Sequence, residues 1–277
     1  MKKIVLALLV LASCAKEDSV GTAPATTFIR YFNGGNSDEA KAIVETADKG
    51  LLILANTQIT EVGANSIYKI KLIKTDAYGN LIWQKLYPEI SNTTTSYKGN
   101  GLALDPSGGY VIVGEDIDTQ TGFSKLLILT LQDDGNYKGK AKTMTSVLEI
   151  KGMGVGFISE DNDPVTPEPK ANLGNYIILS SVSDPSNNMM LAEFSKTAIT
   201  DQTSTATPLW SQKFGAGESV NITNKLFVDE NSNSFWGGTV KKANDQSNIR
   251  LIKVPSNSTG VLQYPFQGFP QGVGHAS

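Results

Sequence analysis

Between Ile67 and Asp76 the chain alternates. Tyr68, Ile70, Leu72 and Lys74 fall on one side, and Lys69, Lys71 and Ile73 on the other. A two-residue period is that of a strand with two distinct faces. The same kind of segment recurs at Ser124–Asp134, Asn188–Lys196 and Asn248–Pro255. Each is preceded by an apolar run that follows a turn: Asp48–Asn56, Asp105–Gly114, Asn172–Ser180 and Asp229–Gly238. Aligning Gly50, Gly109, Asn175 and Ser234 gives steps of 59, 66 and 59 residues. A further apolar stretch stands ahead of each turn, at Ala40–Thr46, Gly101–Asp105, Gly154–Ser159 and Asn224–Asp229. Closing strands are predicted at Leu81–Tyr87, Tyr137–Lys142, Leu209–Phe214 and Val261–Phe266. Gly, Asn and Asp at the joints tolerate positive φ and close hairpins. No long segment carries a 3.6-residue period, so the chain is predicted to be all-β.

Four antiparallel strands repeated at about sixty residues resemble the blades of a β-propeller. The "DxxGNxxW" pattern from Asp76 to Trp83 resembles the divergent propeller repeats common in secreted bacterial proteins. The resemblance implies a propeller-like domain over residues 28–277, with blades at about 36–90, 91–147, 148–215 and 216–268. A β-sandwich or a solenoid is the structural alternative. "FIRYFNGG" (Phe28–Gly35) is similar to "LWSQKFGAG" (Leu209–Gly217), a blade's outer strand with its exit loop, yet no inner strands precede it. The fourth unit already has its own outer strand. The expectation is therefore an incomplete ring that continues past Ser277, with closure as a four-bladed ring as the other possibility.

The amino terminus carries a different signal. Lys2 and Lys3 precede the apolar run Ile4–Ala12, which is shorter than the roughly 20 residues a membrane-spanning helix needs. A basic start, a short apolar run and a small-residue exit make a secretory signal peptide. Leu11-Ala12-Ser13-Cys14 resembles the bacterial lipobox. The resemblance implies cleavage between Ser13 and Cys14, lipid on the Cys14 sulfur, and anchoring by several acyl chains. Residues 1–13 would then be a lipoprotein signal peptide and residues 14–27 a lipidated flexible tether. Lys16, Glu17 and Asp18 resemble the export signal of Bacteroidetes surface lipoproteins, and Asp18-Ser19-Val20 their O-glycosylation motif at Ser19. Together these imply an outer-membrane protein displayed at the cell surface. Cys14 is the one cysteine, so no disulfide forms within the chain.

Without Lys2 and Lys3 the mature chain carries 22 basic against 27 acidic side chains, a net charge of about −5. It has no basic block, which argues against a nucleic-acid partner. The single histidine, His275, does not assemble into a triad or a metal cluster. No phosphate-cradling glycine loop is found, and no cofactor is expected. Asp48, Asp76, Asp105 and Asp133 sit at turns, where the carboxylate bonds its own backbone. Asp161, Asn162 and Asp163, in the insert Glu160–Lys170, offer oxygens to Ca²⁺ but lack the spacing of a twelve-residue calcium loop. Trp83 and Trp210 occupy matching outer-strand positions and are expected to pack between blades, with Trp236 in the core.

The function expected is a lipid-anchored envelope module that binds polysaccharide, peptide or a partner envelope protein without catalysis. Two alternatives stand beside it. One is a propeller-type glycosidase or lyase whose catalytic residues lie in missing blades. The other is a structural subunit of an outer-membrane complex.

Overall fold

The computed structural model describes residues 29–32, 36–60, 66–89, 95–144, 146–158, 173–185, 188–201, 203–214, 219–229, 231, 233–241, 247–254 and 262–265. They form four antiparallel sheets of four strands, and in each sheet the strands lie side by side in chain order. Sheet 1 is β1 (Ser37–Glu45), β2 (Leu51–Ile59), β3 (Ile67–Thr75) and β4 (Leu81–Tyr87). Sheet 2 is β5 (Ser96–Leu104), β6 (Tyr110–Ile117), β7 (Ser124–Leu131) and β8 (Lys142–Thr143). Sheet 3 is β9 (Ile150–Phe157), β10 (Tyr176–Val182), β11 (Met189–Phe194) and β12 (Trp210–Phe214), with α1 (Lys196–Thr200) between its last two strands. Sheet 4 is β13 (Ser219–Val228), β14 (Ser234–Lys241), β15 (Ser247–Val254) and β16 (Leu262–Pro265). The all-β expectation holds.

The sheets stack in chain order, each burying a face against the next. Leu52, Leu54, Ile70 and Leu72 of sheet 1 meet Tyr110, Ile112, Leu127 and Leu129 of sheet 2. Val111, Val113, Leu126 and Ile128, on the other face of sheet 2, meet Tyr176, Ile178, Met190 and Phe194 of sheet 3. Ile177, Leu179 and Leu191 then meet Trp236, Ile252 and Val254 of sheet 4. β6 and β7 are covered on both faces, which is why they read as near-continuous apolar runs and not as strict alternation. Facing sheets pack about 10 Å apart, so the first strands can come closer only where side chains are absent. Glycine supplies that closeness at Gly101 of β5, where a Cβ would stand 2.8 Å from the Met153 carbonyl oxygen of β9. The first strands β5, β9 and β13 pack on one another in turn, and β1 packs on β5.

Two details differ from the sequence reading. The turn between the first two strands is closed by Thr46 N–H to Gly50 O, Asp105 N–H to Gly109 O, Ile158 N–H to Asn175 O and Asp229 N–H to Asn233 O. The position equivalent to Gly50 in the fourth unit is thus Asn233, not Ser234, and the steps are 59, 66 and 58 residues. That one-residue shift turns Trp236 toward sheet 3 and Phe235 outward, because strand faces alternate. The closing strand of sheet 2 is Lys142–Thr143 and not Tyr137–Lys142. Tyr137 makes only an isolated bridge to Leu131. Gly139 lies against the Thr200 carbonyl of α1, where a Cβ would approach to 2.7 Å, so the chain leaves the ladder there.

Candidate functional site

The hairpin tips and the β1–β2 and β5–β6 turns gather at one end of the stack, and the β2–β3, β6–β7 and β10–β11 connections lie at the other, the loop end. The turn end carries the predicted acids, and all four are engaged. The Asp48 carboxylate accepts from Thr46 Oγ1, Gly50 N–H and Lys74 Nζ. Lys74 foremost, then Thr46 and Gly50, hold it well below the usual carboxylate range. Asp76 accepts from the Tyr78 and Asn80 amides. Asp105 accepts from Ser107, from Lys138 at 3.2 Å and from the Tyr176 hydroxyl of sheet 3 at 3.0 Å. Asp133 accepts from Gly109 N–H at 2.9 Å. These acids build turns and tie neighbouring sheets together.

The loop end holds a different arrangement. Tyr97 of β5 stands directly opposite Asp116 of β6, and Asp116 opposite Lys125 of β7. One row across three strands thus presents an aromatic ring, a carboxylate and an ammonium on the same sheet face. The β6–β7 loop borders this row. Asp118 N–H donates to Phe123 O, Gly122 N–H donates to Asp118 O, and the Asp118 carboxylate accepts the Gln120 and Thr121 amides, both at 2.9 Å. With Thr95, Thr119 and Gln120 the row lines a polar cavity of about 630 Å³.

Within it the two carboxylates titrate in opposite directions. Burial pushes Asp116 above its ordinary value of 3.8; Lys125 opposes that shift and Asp118 adds to it. The Thr121 and Gln120 amides hold Asp118 below the same value. Asp118 therefore shapes the loop, whereas Asp116 is a half-buried acid aimed along a cavity wall. Burial also raises the Tyr97 hydroxyl, so it stays a neutral donor. Mixed donors and acceptors around an aromatic ring suit a polar, uncharged ligand rich in hydroxyl groups.

No protein-family model matches the chain, and no curated protein sequence does. Among the described residues no group of three His, Cys, Asp or Glu is placed to hold a metal ion.

Sequence reasoning named none of the residues in this cavity. The available signal was Asp116 itself, an acid inside the apolar strand "YVIVGEDI", but the cross-strand row depends on register, which the sequence leaves open. Ser13, Cys14, Lys16, Glu17, Asp18, Ser19, Asp161, Asn162, Asp163 and His275 lie outside the described residues. Trp83 and Trp210 do match in register, opposite Lys74 and Glu193. Trp83 packs between sheets against Tyr110, with ring centroids 6.5 Å apart. Trp210 stays partly exposed and donates from Nε1 to the Glu193 carboxylate at 2.5 Å. Trp236 is buried in the core.

Proposed function

We propose that this protein is a lipid-anchored cell-envelope module, built as a propeller-like ring of blades, that binds a hydroxyl-rich ligand of the polysaccharide class at its loop end. The lipobox-like Cys14 supports the anchor. Four sheets stacked through successive first strands support the ring. The observation that carries the ligand reading is the Tyr97–Asp116–Lys125 row in its cavity, with Asp116 raised by burial and accepting no hydrogen bond among the described residues. A sugar hydroxyl reaching the cavity would donate to this carboxylate, and a hydrogen bond to a charged group contributes about 1.5–3 kcal/mol.

Binding of the mature protein to an array of bacterial envelope polysaccharides tests this, with affinities then measured by calorimetry. Asp116→Ala is expected to weaken the bound glycan by about tenfold or more, in line with that contribution. No retained glycan, or equal affinity of Asp116→Ala and wild type, overturns the ligand assignment. Asp118 accepts the Gln120 and Thr121 amides at one oxygen, which holds the loop beside the row. Hydrolysis of a retained glycan, lost in Asp116→Asn, would favour the enzyme reading instead.

A further inference from the structure

The Tyr97–Asp116–Lys125 row does not stand alone on its sheet face. Asp116 lies an even number of residues from Ile112 in β6, and Lys125 from Leu127 in β7, with no register shift between them. The row therefore shares the face that sheet 2 turns toward sheet 1. Tyr97 and Tyr137 both pack against the core of that interface. Burial foremost, then Asp116 and Tyr137, raise the Tyr97 hydroxyl, so the two phenols are neighbours. Tyr137 in turn meets Tyr87 of β4 edge to face, with ring centroids 5.4 Å apart and an interplanar angle of 86°. Tyr97, Tyr137 and Tyr87 thus form a chain of rings along the seam between sheets 1 and 2.

The chain leads into a second cavity, of about 600 Å³, lined by Lys85, Tyr87, Glu89, Gly135, Asn136 and Tyr137 among others. It lies against the edge strand β4, with the β7–β8 tip as a wall. Lys85 donates from Nζ to Asn136 Oδ1 at 2.7 Å, and the Tyr87 hydroxyl donates to Gly135 O, which fixes that tip against β4. The cavity occurs where sheet 2 lacks a full outer strand: β8 pairs with β7 only at Leu127 and Ile128, and Tyr137 bridges Leu131 alone. Its chemistry repeats that of the loop-end cavity. The buried Lys71 in its lining is paired with Asp38 at 2.8 Å, and Lys85 and Glu89 add one charge of each sign. Burial foremost, then Glu89, pushes the Tyr137 hydroxyl up to about 12, so it stays a neutral donor. Tyr137 is half-buried against the fully buried Tyr87, which leaves Tyr137 as the ring a ligand can reach.

We propose that the two cavities are subsites of one cleft along this seam, which binds a glycan chain of several sugar units with Tyr137 between them. The proposal rests on the polysaccharide reading of the loop-end cavity and extends it from a single contact to a length of chain. Each cavity is the size of a small-molecule site, and both offer donors and acceptors of balanced charge around a tyrosine ring. Such a ring presents an apolar face to sugar C–H groups and a hydroxyl to their oxygens. A ligand long enough to enter both subsites gains affinity through the high effective concentration of its second end.

The test uses a size-fractionated oligosaccharide ladder, from the disaccharide upward, prepared from the envelope polysaccharide retained in the array. Affinity of the mature protein is measured by calorimetry at each length. It is expected to climb about tenfold or more until the chain spans both cavities, and then to level off. Tyr137→Ala is expected to flatten the climb, and Tyr137→Phe, which keeps the ring, to restore it. Glu89→Trp fills the second cavity from an exposed position, away from the core, and should flatten the climb as well. Asp116-dependent binding of equal affinity at every length overturns the extended cleft and leaves the loop-end assignment standing. A climb that survives both Tyr137→Ala and Glu89→Trp does the same. Retention of no glycan overturns both.

Discussion

Asp116 and Asp118 differ by two positions and titrate in opposite directions, because one lies in the face of a sheet and the other in a loop that offers it amides. The Asp116 pKa is raised in the fold, so its charge is less favourable there than in the unfolded chain. Its effect on stability is therefore absent well below pH 3.8, and stability falls as pH rises through the raised value. Asp116→Asn is expected to melt above wild type at pH 7, with the gap closing below about pH 4; melting curves across pH check this. Asp201 behaves oppositely. The Lys142 ammonium foremost, with Thr203, holds its carboxyl down at about 2. That contribution is present above 3.8 and is lost as pH falls toward about 2. Lys142 is fully buried, and Lys142→Ala should lower the melting temperature at pH 7. The deficit should shrink as pH falls from 4 to 2, since protonation of Asp201 weakens the same contact in wild type.

At the scale of elements, apolar runs and turn residues were legible and pairing detail was not. The two-residue period in Ile67–Thr75 identifies β3, and the Gly-bearing tips Asp76–Asn80 and Gln132–Asn136 mark where hairpins close. The fourth unit misled by one residue, since Asn233 and Ser234 are both plausible turn residues and only the hydrogen bond from Asp229 separates them. The residues Tyr137–Lys142 looked like a strand because they join a hairpin tip to the next unit. Contact of Gly139 with α1 diverts them, and no local propensity carries that information. The first strands depend on glycine for their close approach. Gly101→Ala would press a methyl against the Met153 carbonyl, the Val113 side chain and Gly154. Its expected cost is about 1–3 kcal/mol, read as a lower denaturation midpoint with unchanged slope.

For the whole molecule, the proposed anchor and the proposed ring are separable. Cys14→Ser is expected to abolish labelling by radioactive palmitate and to move the protein from the membrane to the soluble fraction. Its circular dichroism should stay that of a β protein, because the sheets begin at Ser37. A variant that remains membrane-bound without label would show a membrane contact other than lipid on Cys14, such as the uncleaved apolar run Ile4–Ala12.

The sequence by itself determined strand against helix, the sixty-residue spacing and the turn chemistry of Asp48, Asp76, Asp105 and Asp133. These follow from side-chain alternation and from backbone preferences within a few residues. The tertiary structure alone decided that Tyr97, Asp116 and Lys125 stand in one row and that Trp210 stays partly exposed while Trp83 packs between sheets. Those outcomes depend on register and on sheet stacking, which join residues far apart in the chain, and a one-residue slip in either reverses every face.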